Sequence, residues 1–244
     1  MMTQPNYPPR IQCRDHAFYL DLDGTLAPIV AQPEMAVVPR DTRDLLVRLS
    51  DATDGALAIV SGRSLADVDR ILAPLMLCAS GSHGAELRGA GALPVSKAPL
   101  AALQAAADTV DQFAGPKGLL VERKPTAVAL HYRAAPQHAD ACRALIERLA
   151  GSDPAQRALH GKMVSELTLA AYDKGTALGV FSRVAPFKGR VPVMVGDDVT
   201  DEDGFRAAQA QGGLGIKIGE GATVANYRLA SVPAFGDWLA SLLE

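Results

Sequence analysis

The stretch AFYLDLDGTL, residues 17–26, decides the fold class. Its first four residues form an apolar run that is typical of a buried strand. Asp21 and Asp23 follow where this strand breaks into a glycine-containing turn, which in an open α/β sheet is the edge where ligands bind. Because two buried carboxylates without partners are costly, the stretch favours a metal ion or another bound cation. A solvated turn with two aspartates is the common alternative.

A second acidic cluster lies far along the chain, in GDDVTDED at 196–203, and it also follows an apolar run, 191–195. Acidic residues are favoured in the first turn of a helix. This explains Asp201 and the two residues after it, but it explains Asp197 and Asp198 less well. Carboxylates from two strand ends that face one point form a hard-oxygen site, which suits Mg²⁺.

Two more residues complete a set of four motifs. The apolar run 57–60 ends in Ser61, and Lys174 precedes a helix-like segment, 176–182. A hydroxyl and an ammonium group beside a magnesium site suit a phosphoryl group, whose charge needs several donors. Taken singly, Ser-Gly is a common turn and a lone lysine is usually a surface residue. Their order along the chain, together with both acidic strand ends, favours function.

With these four motifs, the sequence resembles the haloacid dehalogenase superfamily of phosphotransferases. Within that superfamily it is similar to the trehalose-6-phosphate phosphatases. The motifs that carry this second resemblance are SGR at 61–63, GSHGAE at 81–86, ERK at 122–124, HYR at 131–133 and Glu166 ahead of Lys174-Gly175. The chain departs from the family at Thr168 and Leu169, where Arg-Pro is frequent.

The resemblance implies a phosphatase that hydrolyses trehalose 6-phosphate, the last step of trehalose biosynthesis, through an aspartyl phosphate. Asp21 is then expected to be the nucleophile, and Asp23 the acid and base of the two half-reactions. Ser61 and Lys174 are expected to bind the phosphoryl oxygens and to stabilise the charge that develops there.

The resemblance also implies a magnesium site. Its expected protein ligands are Asp21, Asp197 and the backbone carbonyl of Asp23, with water and substrate phosphate completing the shell. Asp198 and Asp201 are expected to orient Lys174 or the waters on the metal.

Strand–helix alternation runs from residue 17 to about 82 and resumes from about 169, which predicts a parallel sheet with right-handed crossovers. Between these parts, amphipathic helices at 100–113 and 137–149 flank a hairpin at 119–133. We therefore predict an α/β fold with a Rossmann-like core of the haloacid dehalogenase type, at 1–83 and 169–244. An inserted α+β cap domain, 84–168, is expected to set substrate specificity and to close over the sugar.

The predicted hairpin carries polar side chains at alternate positions, which share a face of a strand. The resemblance assigns Glu122, Lys124 and Glu166 to sugar binding, since such groups pair with hydroxyls. His131 and Arg133 are expected to bind the sugar or to brace the sheet. The alternative is a half-solvated sheet whose charges face water.

Two residues of the core motifs are further candidates for substrate binding. Arg63 follows Ser61 in the SGR motif, and His83 lies between two glycines at the junction of core and cap. For His83, a structural or hydrogen-bonding role is favoured over that of a base.

Composition narrows the class of protein. With 244 residues the chain can bury one large core or two smaller ones, and its 48% apolar and 5% aromatic content suits an α/β enzyme. A net charge of −3 implies no general affinity for nucleic acid or anionic membranes. Three scattered cysteines and an N-terminus unlike a signal peptide favour the cytoplasm. We expect a monomer whose partner is its small-molecule substrate.

Two other functions stay open from the sequence. One is a phosphatase for another sugar phosphate, such as sucrose 6-phosphate or a hexose phosphate. The other is a phospho-acceptor or sugar-phosphate-sensing module without turnover, which also uses Mg²⁺ and a lysine. Asp23, placed to deprotonate water, argues against a stable phosphoaspartate.

Overall fold

A computed structural model describes residues 7–30, 33–91 and 97–244. The chain forms two compact units, Met1–Leu93 with Asp173–Glu244, and Pro94–Tyr172. The first bound predicted from the sequence, 83/84, falls before the strand at Glu86–Arg88, which pairs within the first unit. The second, 168/169, cuts the strand at Val164–Leu169, which belongs to the second unit. In the described part of the chain, no helix combines the length and apolar character needed to cross a membrane.

The strands are β1 His16–Leu20, β2 Leu57–Val60, β3 Cys78–Gly81, β4 Glu86–Arg88, β5 Leu120–Lys124, β6 Ala127–His131, β7 Gln156–Gly161, β8 Val164–Leu169, β9 Val191–Gly196, β10 Leu214–Ile218 and β11 Tyr227–Leu229. The α-helices are α1 Arg40–Ala52, α2 Leu65–Leu72, α3 Lys97–Ala114, α4 Ala139–Ser152, α5 Lys174–Phe181, α6 Asp201–Ala210 and α7 Val232–Leu242.

The first unit is built on a seven-stranded sheet in the order β11-β10-β9-β1-β2-β3-β4. Every pairing in it is parallel except that of β4 with β3. This confirms the predicted α/β class with a mainly parallel sheet. Because β9, β1 and β2 are neighbours and run the same way, the residues that follow them meet at one edge. Those residues include Asp197, Asp21 and Ser61.

Alternating apolar side chains of the central strands fill two cores, one on each face of this sheet. Phe18 and Leu20 of β1 pack into one core with Trp238, and Tyr19 packs into the other with Phe181 and Phe187. This burial on both faces explains why β1 is a continuous apolar run rather than an alternating one. This packing also fixes the position of Asp21, which directly follows β1.

Two helix starts are fixed by local capping. The Ser64 side chain accepts a hydrogen bond from the backbone N–H of Asp67 at the start of α2. Asp173 and Thr176 form a reciprocal capping box at the start of α5. The second box matters for function because Lys174 is the first residue of that helix.

The second unit is a four-stranded antiparallel sheet, β5-β6-β8-β7, which packs with helices α3 and α4. The hairpin predicted at 119–133 is confirmed, since Lys124 pairs with Ala127 across its turn. The β7–β8 hairpin was not predicted. It adds two strands to the sheet and brings Glu166 beside β6.

Candidate active site

Three carboxylates meet at the edge of the seven-stranded sheet. Asp21 follows β1, Asp197 follows β9, and Asp201 is the first residue of α6. One oxygen atom from each lies within 4.8 Å of the other two. Asp21 is held in place by a hydrogen bond from its backbone N–H to the Val195 carbonyl, 2.9 Å away. The sequence separates these groups by about 180 residues, and the parallel sheet joins them.

Lys174 ties two of these carboxylates together. Its Nζ donates to Oδ1 of Asp21 at 2.6 Å and to Oδ1 of Asp201 at 2.7 Å, and all three side chains are buried. Burial by itself would lower the pKa of Lys174, but the two carboxylates outweigh it and raise that pKa. Lys174 is therefore a charged ammonium group inside the protein.

The pKa values of Asp21 and Asp197 are raised, first of all by burial. Burial raises the pKa of Asp21 well above its ordinary value, and Lys174 opposes this shift while Asp201 and Asp197 add to it. Burial, with Asp201 and Asp198 as further causes, raises the pKa of Asp197 to about 7. Both shifts have the sign expected where several carboxylates share a small volume. A cation among them would relieve this repulsion.

Glycines at two positions allow the loops to come this close. Gly24 has a φ of +81°, and a Cβ there would lie 2.1 Å from Oδ2 of Asp197. A Cβ at Gly196 would lie 2.1 Å from Cγ of Asp201. The second carboxylate oxygen of Asp201 accepts the backbone N–H groups of Asp197 and Asp198. Asp201 thus holds the turn at residues 197–198 in place and also binds Lys174.

Asp23 and Arg63 form a paired contact beside this cluster. Nε and Nη2 of Arg63 donate to the two carboxylate oxygens of Asp23, at 2.5 and 2.7 Å. Such a fork orients a carboxylate more strictly than a single donor does. The structure therefore places Arg63, predicted to bind substrate, against Asp23. The carboxylate of Asp23 is outside the three-carboxylate cluster, whose third member, Asp201, was not in the ligand set expected from the sequence. The expected ligand from residue 23, its backbone carbonyl, stays a prediction.

Ser61 lies directly after β2 and is buried. Its Oγ accepts the backbone N–H of Arg63 at 3.1 Å, which leaves the hydroxyl proton to donate elsewhere. His83 packs against this loop. Its backbone N–H donates to the Ser61 carbonyl at 3.1 Å, and a Cβ at Gly62 would lie 2.4 Å from its ring. His83 thus supports the loop, although the sequence also made it a candidate for substrate binding.

Lys217 was missed by the sequence reasoning. It lies on β10, it is buried, and its Nζ donates to the backbone carbonyl of Asp197. Its positive charge lowers the pKa of Asp197 against the larger effect of burial. A lysine inside LGIKI, an otherwise apolar strand, was the signal that could have identified it.

The second unit carries the other predicted residues. Nζ of Lys124 donates to Oε1 of Glu166 at 3.0 Å, and Nε2 of His131 lies 3.1 Å from Oε2 of Glu122. We call the side of the sheet that carries these four residues the polar face. The hydrogen bond with His131 is the main cause that lowers the pKa of Glu122. Arg133 lies beyond the end of β6, exposed in the following turn.

A family model described as trehalose-phosphatase matches residues 19–233. The chain belongs to the trehalose-phosphatase family. Trehalose-6-phosphate phosphatase of Escherichia coli (strain K12) is 41% identical over 241 residues, which cover 98% of this chain and 90% of that protein. A probable trehalose-phosphate phosphatase of Sinorhizobium fredii (strain NBRC 101917 / NGR234) is 38% identical, with 89% of this chain and 83% of that protein covered.

Solved structures of this trehalose-phosphatase family share the fold. The C-terminal domain of C. albicans trehalose-6-phosphate phosphatase aligns with a TM-score of 0.83 at 21% identity, over 100% of this chain and 99% of that chain. A trehalose-6-phosphate phosphatase related protein aligns with a TM-score of 0.71 at 28% identity, over 93% and 96%. The family consists of phosphoric monoester hydrolases, which confirms the predicted class of enzyme.

The residues of the first site fit a divalent metal ion. Asp21, Asp197 and Asp201 offer hard oxygen donors, and among the residues that the structure describes no thiol or imidazole belongs to their cluster. Burial, with neighbouring carboxylates as a further cause, raises the pKa values of Asp21 and Asp197, and a bound cation would oppose this shift. Mg²⁺ is the ion that the sequence predicts here.

Proposed function

We propose that the protein hydrolyses trehalose 6-phosphate to trehalose and inorganic phosphate, with Mg²⁺ as cofactor and an aspartyl phosphate as intermediate. The observation that carries this proposal is the buried network of Asp21, Lys174 and Asp201 in a chain of the trehalose-phosphatase family. A buried nucleophile held by a charged lysine beside two more carboxylates suits phosphoryl transfer, where positioning and charge do most of the catalysis.

Asp21 and Asp23 carry out the two half-reactions. In the first, a carboxylate oxygen of Asp21 bonds to phosphorus while the bond from phosphorus to the sugar oxygen breaks. Asp23 gives its proton to that leaving oxygen. In the second, Asp23 takes a proton from a water molecule, whose oxygen attacks phosphorus and releases phosphate and Asp21. Arg63, paired with Asp23, orients its carboxylate for both proton transfers.

Lys174 and Ser61 bind the phosphoryl oxygens. The ammonium of Lys174 already lies 2.6 Å from Asp21, so it can contact a phosphoryl group on that residue. The Ser61 hydroxyl can donate, since its oxygen accepts from Arg63. Asp21, Asp197 and Asp201 would hold the metal, together with the Asp23 backbone carbonyl, and Asp198 borders the site. When bound, a divalent cation would stabilise negative charge on the phosphoryl oxygens.

The polar face of the second unit is proposed to bind the sugar. Glu122, Lys124, His131 and Glu166 offer donors and acceptors, and they pair with one another where sugar hydroxyls could replace those bonds. Remote binding of this kind positions the phosphate for attack. Arg133 remains a candidate for the same role. A monomer in the cytoplasm, without nucleic acid or membrane partners, stays a prediction from the sequence.

The test is phosphate release from a panel of esters, with and without Mg²⁺. The panel contains trehalose 6-phosphate, sucrose 6-phosphate, glucose 6-phosphate and p-nitrophenyl phosphate. We expect the highest kcat/KM on trehalose 6-phosphate and the loss of all turnover after chelation, with recovery when Mg²⁺ returns. A preference for another ester would contradict the proposed substrate, and full turnover in chelator would contradict the proposed cofactor.

A further inference from the structure

Arg157 lies on β7, at the edge of the four-stranded sheet. It pairs in register with Thr168 of β8, which pairs with Ala127 of β6, which pairs with Lys124 of β5. Residues directly opposite each other in antiparallel strands project to the same side of the sheet. Arg157 and Lys124 therefore end one row of side chains that crosses the whole sheet on the polar face.

The alternation of the strands separates this face from the helix side. Arg123, next to Lys124, donates to Asp108 and Asp111 of α3, and His160 contacts Glu147 of α4. Arg123 and His160 thus point towards the helices. Arg157 is three residues from His160 along β7 and belongs to the opposite set, because successive side chains alternate.

The middle of the polar face carries small side chains, and long side chains stand at its two ends. Ala127, Ala129 and Thr168 are buried there, and the Thr168 hydroxyl donates to the Thr126 carbonyl, so it stays close to the sheet. The ion pair of Lys124 with Glu166 crosses above β6, which is possible because β6 presents only alanines at those two rows.

Glu166 thus has a basic residue on a strand to each side of it. Lys124 lies on β5, two strands away on one side. Arg157 lies on β7, the neighbouring strand on the other side, two residues from Leu159, which pairs with Glu166. Three strand spacings, about 14 Å, separate the strands of the two cations. Charged donors and acceptors spread along one face in this way can pair with hydroxyls around the edge of a sugar ring.

We propose that Arg157 is a further specificity-determining residue, whose guanidinium group donates to two neighbouring hydroxyls of the sugar in a disaccharide phosphate. The inference rests on the proposed function of the same face. An arginine suits this task because its planar fork offers paired donors in a fixed geometry, whereas a lysine offers a point charge. Arg157 would extend the sugar contacts from β5 and β8 to the far edge of the sheet.

The experiment compares Arg157→Ala with Arg123→Ala, which removes the same charge from the helix side of the same sheet. Steady-state kinetics on trehalose 6-phosphate and p-nitrophenyl phosphate are combined with calorimetric binding of trehalose, which carries no phosphate. For Arg157→Ala we expect about a tenfold lower kcat/KM on trehalose 6-phosphate, since a charge-assisted pair of hydrogen bonds is lost. Trehalose binding should weaken in parallel, and p-nitrophenyl phosphate turnover should stay within about twofold.

Arg123→Ala should leave both activities within about twofold, and Arg157→Lys should recover only part of the loss. Equal effects of the two alanine variants, or equal losses on both substrates, would overturn the proposal. Full recovery by lysine would overturn the paired-hydroxyl contact.

Wild-type kinetics separate this inference from the proposed function. If the wild type prefers sucrose 6-phosphate or a hexose phosphate, the proposed substrate is wrong, and Arg157 is judged by the same comparison on the preferred ester. A wild type that releases phosphate from no sugar phosphate overturns both.

Discussion

The two charged clusters of the molecule are built differently. In the first unit, the side chains of Lys174 and Asp21 are 3% and 6% exposed, and Lys174 bonds to two carboxylates. On the polar face of the second unit, the side chain of Lys124 is 17% exposed, and that of Glu122 is 52% exposed. The first cluster is closed and shared among several partners, whereas in the second the pair of Lys124 with Glu166 is partly buried and the pair of His131 with Glu122 borders water.

The difference follows the physical cost of each arrangement. Removing one partner from a buried group of charges is strongly destabilising, and the two hydrogen bonds of Lys174 hold Asp21 and Asp201 in place. Such fixed geometry suits bond making at phosphorus. Pairs near water contribute little to stability, so they can exchange a protein partner for a sugar hydroxyl at small cost. One cluster is therefore suited to chemistry and the other to recognition.

Replacing the proposed nucleophile gives the strongest test of this contrast. We expect Asp21→Asn to lower kcat by about a thousandfold or more, as other nucleophile deletions do. Because the chemistry is common to all esters, the loss should be the same on trehalose 6-phosphate and on p-nitrophenyl phosphate. Steady-state kinetics on both substrates provide the measurement, and Asp198→Asn, an exposed neighbour, should lose much less. Near-normal turnover by Asp21→Asn would rule out this residue as the nucleophile.

The second test compares the two lysines by their effect on stability. Lys174→Met leaves Asp21 and Asp201 buried without their cation, which should lower the free energy of unfolding by about 3–5 kcal/mol. Lys124→Met breaks a partly buried pair, whose side chains are 17% and 11% exposed, and should cost less, about 1–3 kcal/mol. Urea unfolding in the presence of a chelator measures both variants under metal-free conditions. Equal losses would mean that the two clusters do not differ in the way their burial suggests.

Much of the first site could be predicted because its residues are marked by position in the sequence. Asp21 and Asp197 each end an apolar run, and parallel strands bring such ends together whatever lies between them. The start of α2 after Ser64 was also predictable, since capping is a local property. The resemblance also named Asp201 as a partner of Lys174, but neither its place in the carboxylate cluster nor the pairing of Arg63 with Asp23 was predicted. Which side chain bridges to the lysine and which contacts Asp23 depends on tertiary geometry.

The polar face was only partly predictable. The hairpin that carries Glu122 and Lys124 has a clear alternating pattern, but the β7–β8 hairpin does not, because several of its residues on both sides are polar or small. Without that hairpin, the register that places Arg157 beside Thr168 could not be derived. Thr168 is one of the two positions at which the chain departs from its family's pattern.

The third test asks whether the polar face acts on sugars alone. Replacing Glu122, Lys124 or Glu166 with Ala should lower kcat/KM on trehalose 6-phosphate by about ten- to a hundredfold, the value of a lost charge-assisted hydrogen bond. p-Nitrophenyl phosphate has no sugar, so its turnover should barely change. Parallel kinetics on the two esters provide the measurement. Equal losses on both esters would mean that these residues support the fold. No loss on either would mean that the polar face is a solvated surface without a role in binding.

The smallest expected effect is a pH dependence of stability that belongs to the polar face. The hydrogen bond from His131 lowers the pKa of Glu122 below its ordinary value, so the charged carboxylate stabilises the fold. For a lowered carboxylate pKa, this contribution is complete above the unfolded value, about 4.3, and is lost as pH falls through the folded value. Glu122→Gln should therefore be less stable than the wild type at pH 7, by less than about 1 kcal/mol, since Glu122 is half exposed. Urea unfolding of both proteins at pH 7, 5 and 4 should show the two curves converging towards acid pH. A difference that grows as the pH falls would mean that the protonated, not the charged, form of Glu122 is stabilised by the fold.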